Sequence, residues 1–362
     1  MARVLVISPN PGGSGGGVER FCDLLTSVLD ERGHDVRVAG PSRRTGRWSM
    51  RLGIKALAES ASVPTSLPGW QPHVLVTNGL VGGLTRPRGM PVIHVFHGTM
   101  VGHARSTGRG EVLRQRVRSG VGGGLAELLA SIGAVNVAVS ESAAREAHTY
   151  YRARIERVIP NGVDTTSCHP LARSDGRRAF QLDESGRFAL FVGNAEARKG
   201  WDVALEACRQ AGFELLAAGP KPIAGAHNFG VVAPDRLPQL YGAADCVVLP
   251  TRYEACSYVV LEALACGVPL VTTEVGWIPT LLAHVPRYKA LIAAPRPEAF
   301  AAVLGRLQDE TIATAVTEAR DYVLAHSSIA SFADEWGDLV ADVARGPRRE
   351  RPAHGQATVG VG

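Results

Sequence analysis

Apolar positions along the chain fall into short continuous runs, separated by stretches with helical spacing. Arg3–Ser8 (RVLVIS) has strand length, and Val18–Arg32 after it repeats apolar residues at helical intervals until Gly33. Further strands are predicted at Asp35–Ala39, His73–Thr77, Pro91–Phe96 and Val135–Val139. In the second half they are predicted at Phe188–Val192, Phe213–Ala218, Asn228–Val232, Cys246–Leu249, Leu270–Thr272 and Ala290–Ala293. Helices are predicted at Leu237–Ala244, Phe300–Leu307, Ile312–Ala325 and Ile329–Val343. Unbroken apolar runs mark strands buried on both faces, and their alternation with helices marks parallel βαβ units. The predicted class is α/β, with two Rossmann-like doubly wound domains, 1–160 and 165–325, and the segment Arg157–Asp164 (RVIPNGVD) near the middle of the chain has Pro and Asn-Gly turn chemistry.

The stretch Leu249–Gly276, LPTRYEACSYVVLEALACGVPLVTTEVG, organises the second half. A buried strand ends at Leu249, the chain turns at Pro250 and Thr251, and a short helix runs from Ser257 as N-cap to Gly267. Ligands of βαβ units bind where loops leave the strand C-termini. Cys256, Ser257 and Tyr258 would offer unpaired amides to an anion there, typically a phosphate. Glu254 and Glu262 flank the site. A carboxylate is a poor phosphate ligand, so these two are expected to take hydroxyl groups of sugar rings, and the pairing suggests a nucleoside-diphosphate sugar. Favourable placement near a helix dipole is the competing structural reading of both.

Glu254 and Glu262, with the flanking run EALACGVPLV, resemble the E-x7-E region of retaining GT-B glycosyltransferases of family 4. The resemblance implies the GT-B fold and a role for Glu254 near the donor sugar, with Glu262 on the ribose. It implies further that Gly16, Gly17 and Glu19 form the family's GGxE element near the donor phosphates or the acceptor. His97, at a strand C-terminus before Gly98, corresponds to a histidine near the reacting sugar. Gly193 with the basic pair Arg198 and Lys199 corresponds to the loop that stabilises the leaving diphosphate; adjacent Arg and Lys after a strand suit that task, the guanidinium binding two oxygens and the ammonium acting as a point charge. Gly230 and Val231 would contact the nucleotide base. The final helix, about 329–343, would cross back to the N-terminal domain. One departure stands out: Ala255 occupies the position after the first glutamate where the family has Gly.

Composition narrows the partners. Hydrophobic residues make up 45% of the 362 and charged ones 20%, values of a globular chain, and no run is long enough to span a bilayer. The chain is expected in the cytoplasm, with contact to the inner face of the membrane open through the basic segment Arg43–Lys55, which carries Trp48; an acceptor loop or solvated face is the alternative there. Arg105–Arg118 is a second arginine-rich stretch, and the polar tail 346–362 is expected to be disordered. The net charge of +5 comes with no nucleic-acid motif, so no such partner is expected. The cysteines, Cys22, Cys168, Cys208, Cys246, Cys256 and Cys266, lack metal-ligand spacing and read as free thiols. Cys256 is the exception, because a helix N-terminus can lower a thiol pKa.

The predicted function is transfer of a hexose or N-acetylhexosamine from a nucleoside-diphosphate sugar, UDP favoured by the resemblance, to a small-molecule or lipid-linked sugar-type acceptor, with retention. No cofactor is expected, and without a D-x-D sequence no phosphate-bridging metal either. Two alternatives stay open. An NADP-dependent oxidoreductase would use the Gly-rich loop Pro11–Gly17 with Arg43 and Arg44, although G-x-G-x-x-G fails at Val18. A non-catalytic nucleotide-sugar binding protein would have lost turnover through the loop Ala255–Ser257.

Overall fold

The computed structural model describes residues 1–11, 16–41, 61–80, 89–106 and 122–346. The basic segments at Arg43–Lys55 and beyond Ser106, most of the Gly-rich loop, and the tail after Gly346 lie outside the described residues.

Two parallel sheets carry the fold. The first has six strands, β1 (Arg3–Ile7), β2 (Asp35–Ala39), β3 (Val74–Asn78), β4 (Val92–Phe96), β5 (Val135–Ala138) and β6 (Ile155–Val158), in the order β2-β1-β3-β4-β5-β6. The second has five, β7 (Phe188–Val192), β8 (Glu214–Ala218), β9 (His227–Gly230), β10 (Cys246–Leu249) and β11 (Leu270–Thr272), in the order β11-β10-β7-β8-β9. β3, β4, β7 and β10 are buried at every position, which accounts for their unbroken apolar runs. The chain reverses its direction of travel across each sheet beside β1 and beside β7. Such switch points open crevices at the strand C-termini.

The sixth strand predicted at Ala290–Ala293 does not form. Pro286–Leu291 is a 3-10 turn, and Ile292 makes only an isolated bridge to Thr272. Pro286 fixes the chain into that turn, and the apolar residues Tyr288 and Leu291 are buried from it rather than from a strand. Arg173–Ala179, which carries little apolar periodicity, is helical.

The two halves share a core. Helix α1 (Gly17–Glu31) buries Phe21, Cys22, Leu25, Val28 and Leu29, one stripe at helical spacing. The last helix, Ile329–Arg345, buries Phe332, Trp336, Leu339 and Val340. Phe21 meets Phe332 edge-on at 5.7 Å and Trp336 at 5.6 Å, so the C-terminal helix does pack back on the N-terminal half. The connecting segment is tied down by a bridge between Val163 and Ser328 and by Asn161, which donates to the Cys256 carbonyl at 2.7 Å. Among the described residues no helix is long and apolar enough to cross a membrane.

Candidate active site

Loops at the C-terminal ends of both sheets meet around a cavity of about 380 Å³. The N-terminal wall is formed by residues that end or follow β1, β3 and β4, among them Asn78, His97 and Thr99, with Glu127 behind them. The opposite wall is Arg198, from the loop after β7, and Tyr253, Glu254 and Ala255, from the loop after β10. Each of these loops leaves a strand C-terminus, so the fold itself aims them at one place.

Glu254 sits between the two cations. Its Oε1 is 3.2 Å from an Arg198 guanidinium nitrogen and 3.4 Å from Lys199 Nζ. Arg198 also donates to the Tyr253 carbonyl at 2.6 Å, while its Nε is buried without a partner among the described residues. Gly276 explains the close packing of this loop. Its φ is +62°, and a Cβ there would lie 2.6 Å from the Ala255 carbonyl oxygen and 2.7 Å from that of Glu254.

His97 is half-buried on the cavity wall, its ring edge-on to Phe21 at 4.6 Å. Asn78 donates its amide to the Ile7 carbonyl at 2.9 Å, which turns its oxygen toward His97 Nε2, also at 2.9 Å. His97 Nε2 therefore carries the proton and Nδ1 is left as an acceptor. Burial pushes its pKa down to about 3, so the ring is neutral at any physiological pH.

Tyr253 crosses between the halves. Its hydroxyl accepts the Thr99 N–H at 2.7 Å and donates to Glu146 Oε2 at 2.7 Å. Gly98, at φ +93°, makes room for it: a Cβ there would be 2.8 Å from that hydroxyl oxygen. Glu127, in helix α2 (Gly124–Ser131), is 3% exposed and accepts the Met100 N–H at 2.8 Å and the Tyr151 hydroxyl at 2.6 Å. Burial raises its pKa to about 7 despite both bonds.

The comparisons with known proteins divide the chain between two family models. Residues 15–167 match the model described as Glycosyltransferase Family 4, and residues 186–310 the model described as Glycosyl transferases group 1. The chain belongs to the family 4 glycosyltransferases. Among curated relatives of this family 4 chain, the D-inositol 3-phosphate glycosyltransferase of Segniliparus rotundus is 30% identical over 232 residues, 57% of this chain and 51% of that protein. The chain thus spans about half the length of that relative. Among solved structures, sucrose-phosphate synthase from Thermosynechococcus elongatus superposes with a TM-score of 0.77 at 20% identity, covering 96% of this chain and all of the other. Anabaena HepE, solved in complex with UDP and glucose, gives 0.64 at 15% identity, covering 94% of this chain and all of the other. These likenesses establish the GT-B fold.

Within this family 4 chain the predicted site residues separate into three groups. Glu254, His97 and Arg198 line the cavity, and Lys199 joins them through Glu254. Gly193 belongs with them too, since a Cβ on it would stand 3.3 Å from Lys199 Nζ. Gly230 and Val231, at the exposed end of β9, do not line the cavity but stand beside the Gly193 loop: the Gly230 carbonyl accepts the Gly219 N–H at 2.8 Å, a Cβ on Gly219 would run into the Gly193 carbonyl oxygen, and Val231 is 77% exposed. Gly16, Gly17 and Glu19 lie at the start of α1 without lining the cavity; Glu19 folds back on Gly16, its carboxylate filling the space that a Cβ there would take. Their neighbour Val18 lines it instead.

The helix after Glu254, Tyr258–Ala265, bears out Ser257 as its N-cap position and corrects the expectation for Cys256. Ser257 occupies the N-cap position but makes no side-chain cap bond, so the first amides remain open. Cys256 is buried, and burial pushes its thiol up to about 12, overriding any helix-end effect. All the described cysteines are free thiols, and all are buried, Cys256 included.

Glu262 does not face the cavity. It is 3% exposed, accepts the Tyr241 hydroxyl at 2.8 Å and pairs with Arg20 of α1. Arg20 in turn lies 4.3 Å over the Tyr258 ring. Burial disfavours the Arg20 charge, but Glu262 outweighs it and the guanidinium pKa is raised. The sequence reading missed Arg20, Asn78, Tyr253 and Glu127. Asn78 ends a buried strand and Tyr253 abuts Glu254, signals that were present; Glu127 lies inside an ordinary helical run and carries none.

Proposed function

We propose that this chain transfers a hexosyl or N-acetylhexosaminyl group from a nucleoside-diphosphate sugar to a hydroxyl of a small-molecule or lipid-linked acceptor. The observation that carries this reading is the meeting of Arg198, Lys199 and Glu254 opposite a neutral His97, across a cavity built by both halves. Cleavage of a glycosyl–phosphate bond puts negative charge on the departing diphosphate and positive charge on the anomeric carbon. Fixed cations and open helix amides answer the first demand. With a bound donor, Arg198 and Lys199 turn from Glu254 toward the diphosphate, and the unpartnered Arg198 Nε becomes available to an oxygen. A carboxylate flanked by two cations is a weak nucleophile. Glu254 therefore orients the sugar, and reaction proceeds on one face with retention, the leaving phosphate taking the acceptor proton. His97 offers Nδ1 to a sugar hydroxyl. UDP is the favoured nucleotide, supported by the HepE complex with UDP and glucose. The fixed cations serve in place of a metal, and no cofactor takes part. The cytoplasm is the proposed location.

A thermal-shift panel of UDP, GDP, ADP and NADP(H) tests the donor class. A nucleoside diphosphate at 100 times its dissociation constant is expected to stabilise the chain by about 2.7 kcal/mol. The Lys199→Ala variant is expected to lose most of that shift. Stabilisation by NADP alone would return the reading to an oxidoreductase.

A further inference from the structure

Glu127 is a buried carboxyl on the cavity wall that the transfer chemistry above leaves unused. It is 3% exposed, and no cation among the described residues pairs with it. Its structural bonds, from the Met100 N–H and the Tyr151 hydroxyl, both land on Oε2. Oε1 receives no hydrogen bond from any described residue, although the side chain lines the cavity. An uncompensated buried carboxyl is costly, and a glutamine would hold Met100 and Tyr151 with one amide oxygen at lower cost. Holding α2 in place therefore does not account for the acid. The opposite wall carries the cations that suit the departing diphosphate, which leaves the wall of Asn78, His97, Thr99 and Glu127 to face the incoming group.

We propose that Glu127 binds the acceptor, its Oε1 receiving a hydrogen bond from a hydroxyl of a polyhydroxylated molecule, a sugar or a cyclitol. This rests on the transferase reading given above. The carboxyl positions the hydroxyl and is not assigned its proton. A pKa near 7 fits such a group, since the carboxylate that forms on that side of neutrality accepts more strongly than an amide.

The test compares wild type with Glu127→Gln in two assays on UDP-, GDP- and ADP-linked glucose and N-acetylglucosamine. One reads nucleoside-diphosphate release to water; the other reads release stimulated by myo-inositol, D-inositol 3-phosphate or octyl glucoside. Glutamine keeps the Met100 and Tyr151 bonds but presents an NH₂ where Oε1 stood. The expected result is an acceptor KM raised about 10- to 100-fold, the range for a lost hydrogen bond to a charged group, with acceptor-stimulated release falling by a larger factor than water-dependent release. A parallel fall of both activities, or no change in either, overturns the proposal. If wild type turns over no donor, the transferase reading fails, and carbodiimide labelling with a small amine near pH 7 decides Glu127 by itself. Labelling of Glu127 that myo-inositol protects supports a hydroxyl-binding carboxyl; an unlabelled Glu127 in the folded chain overturns it.

Discussion

Replacing Glu127 by glutamine should change how stability depends on pH, and the size of the change follows from the burial of this side chain. In the unfolded chain the carboxyl titrates near its ordinary value of 4.5; in the folded chain burial moves it to about 7, against the pull of Met100 and Tyr151, with Glu146 adding repulsion. Between those two values the native state holds a proton that the unfolded state has released. Stability therefore falls as pH rises through this window, and the loss is complete above the folded pKa. A shift of about 2.5 pK units corresponds to roughly 3 kcal/mol. Glutamine cannot titrate and accepts the same two bonds. Chemical denaturation of both proteins at pH 5 and pH 8 gives the comparison: the variant should gain about 3 kcal/mol over wild type on passing from the lower to the higher pH. Equal pH dependence in the two proteins would show that Glu127 is ionised in the fold at neutral pH and would refute the reasoning.

Other perturbations probe the loops and the packing between the halves. Gly276→Ala should push the Glu254 loop out of place, because its Cβ would meet two carbonyl oxygens at φ +62°; a destabilisation of about 1–3 kcal/mol by denaturant titration, with weakened nucleotide binding, is expected. Tyr253→Phe leaves the Thr99 N–H without its partner and Glu146 with the Thr99 hydroxyl alone, which should cost about 1–3 kcal/mol and raise proteolytic cleavage between the halves. Trp336→Ala removes a fully buried ring packed on Phe21, and a loss of about 3–5 kcal/mol in the same titration is expected. Cys256 should resist iodoacetamide at pH 8 in the folded protein, since its thiol lies near 12; rapid alkylation would contradict its burial.

How much of this was legible in the sequence depends on the kind of contact. Strands such as Val92–Phe96 and Cys246–Leu249 are buried on both faces, so their composition alone marks them. The strand predicted at Ala290–Ala293 failed because Pro286 starts a 3-10 turn whose buried Tyr288 and Leu291 mimic a strand's apolar content. His97, Arg198 and Glu254 follow strand ends, where a crevice is expected, and the resemblance to the family singled them out among the residues so placed. The pairing of Glu254 with both cations depends on β7 and β10 lying side by side, and the seat of Glu262 under Arg20 and the reach of Tyr253 to Thr99 depend on how the halves close over one another. Contacts separated by more than fifty residues leave no local pattern. Cys256 shows the same limit in reverse, since proximity to a helix end was readable and its burial was not.

The account's central claim is that the cavity between the sheets cleaves a nucleoside-diphosphate sugar with help from fixed cations. The most direct measurement is nucleoside-diphosphate release from a panel of UDP-, GDP- and ADP-sugars by wild type and Lys199→Ala, with circular dichroism to confirm that both are folded. Removing one such donor typically costs about 2.7–4 kcal/mol of transition-state stabilisation, so the variant should turn over about 100- to 1,000-fold more slowly. Near-normal turnover by a folded Lys199→Ala protein, or no release from any sugar nucleotide by wild type, would contradict the account.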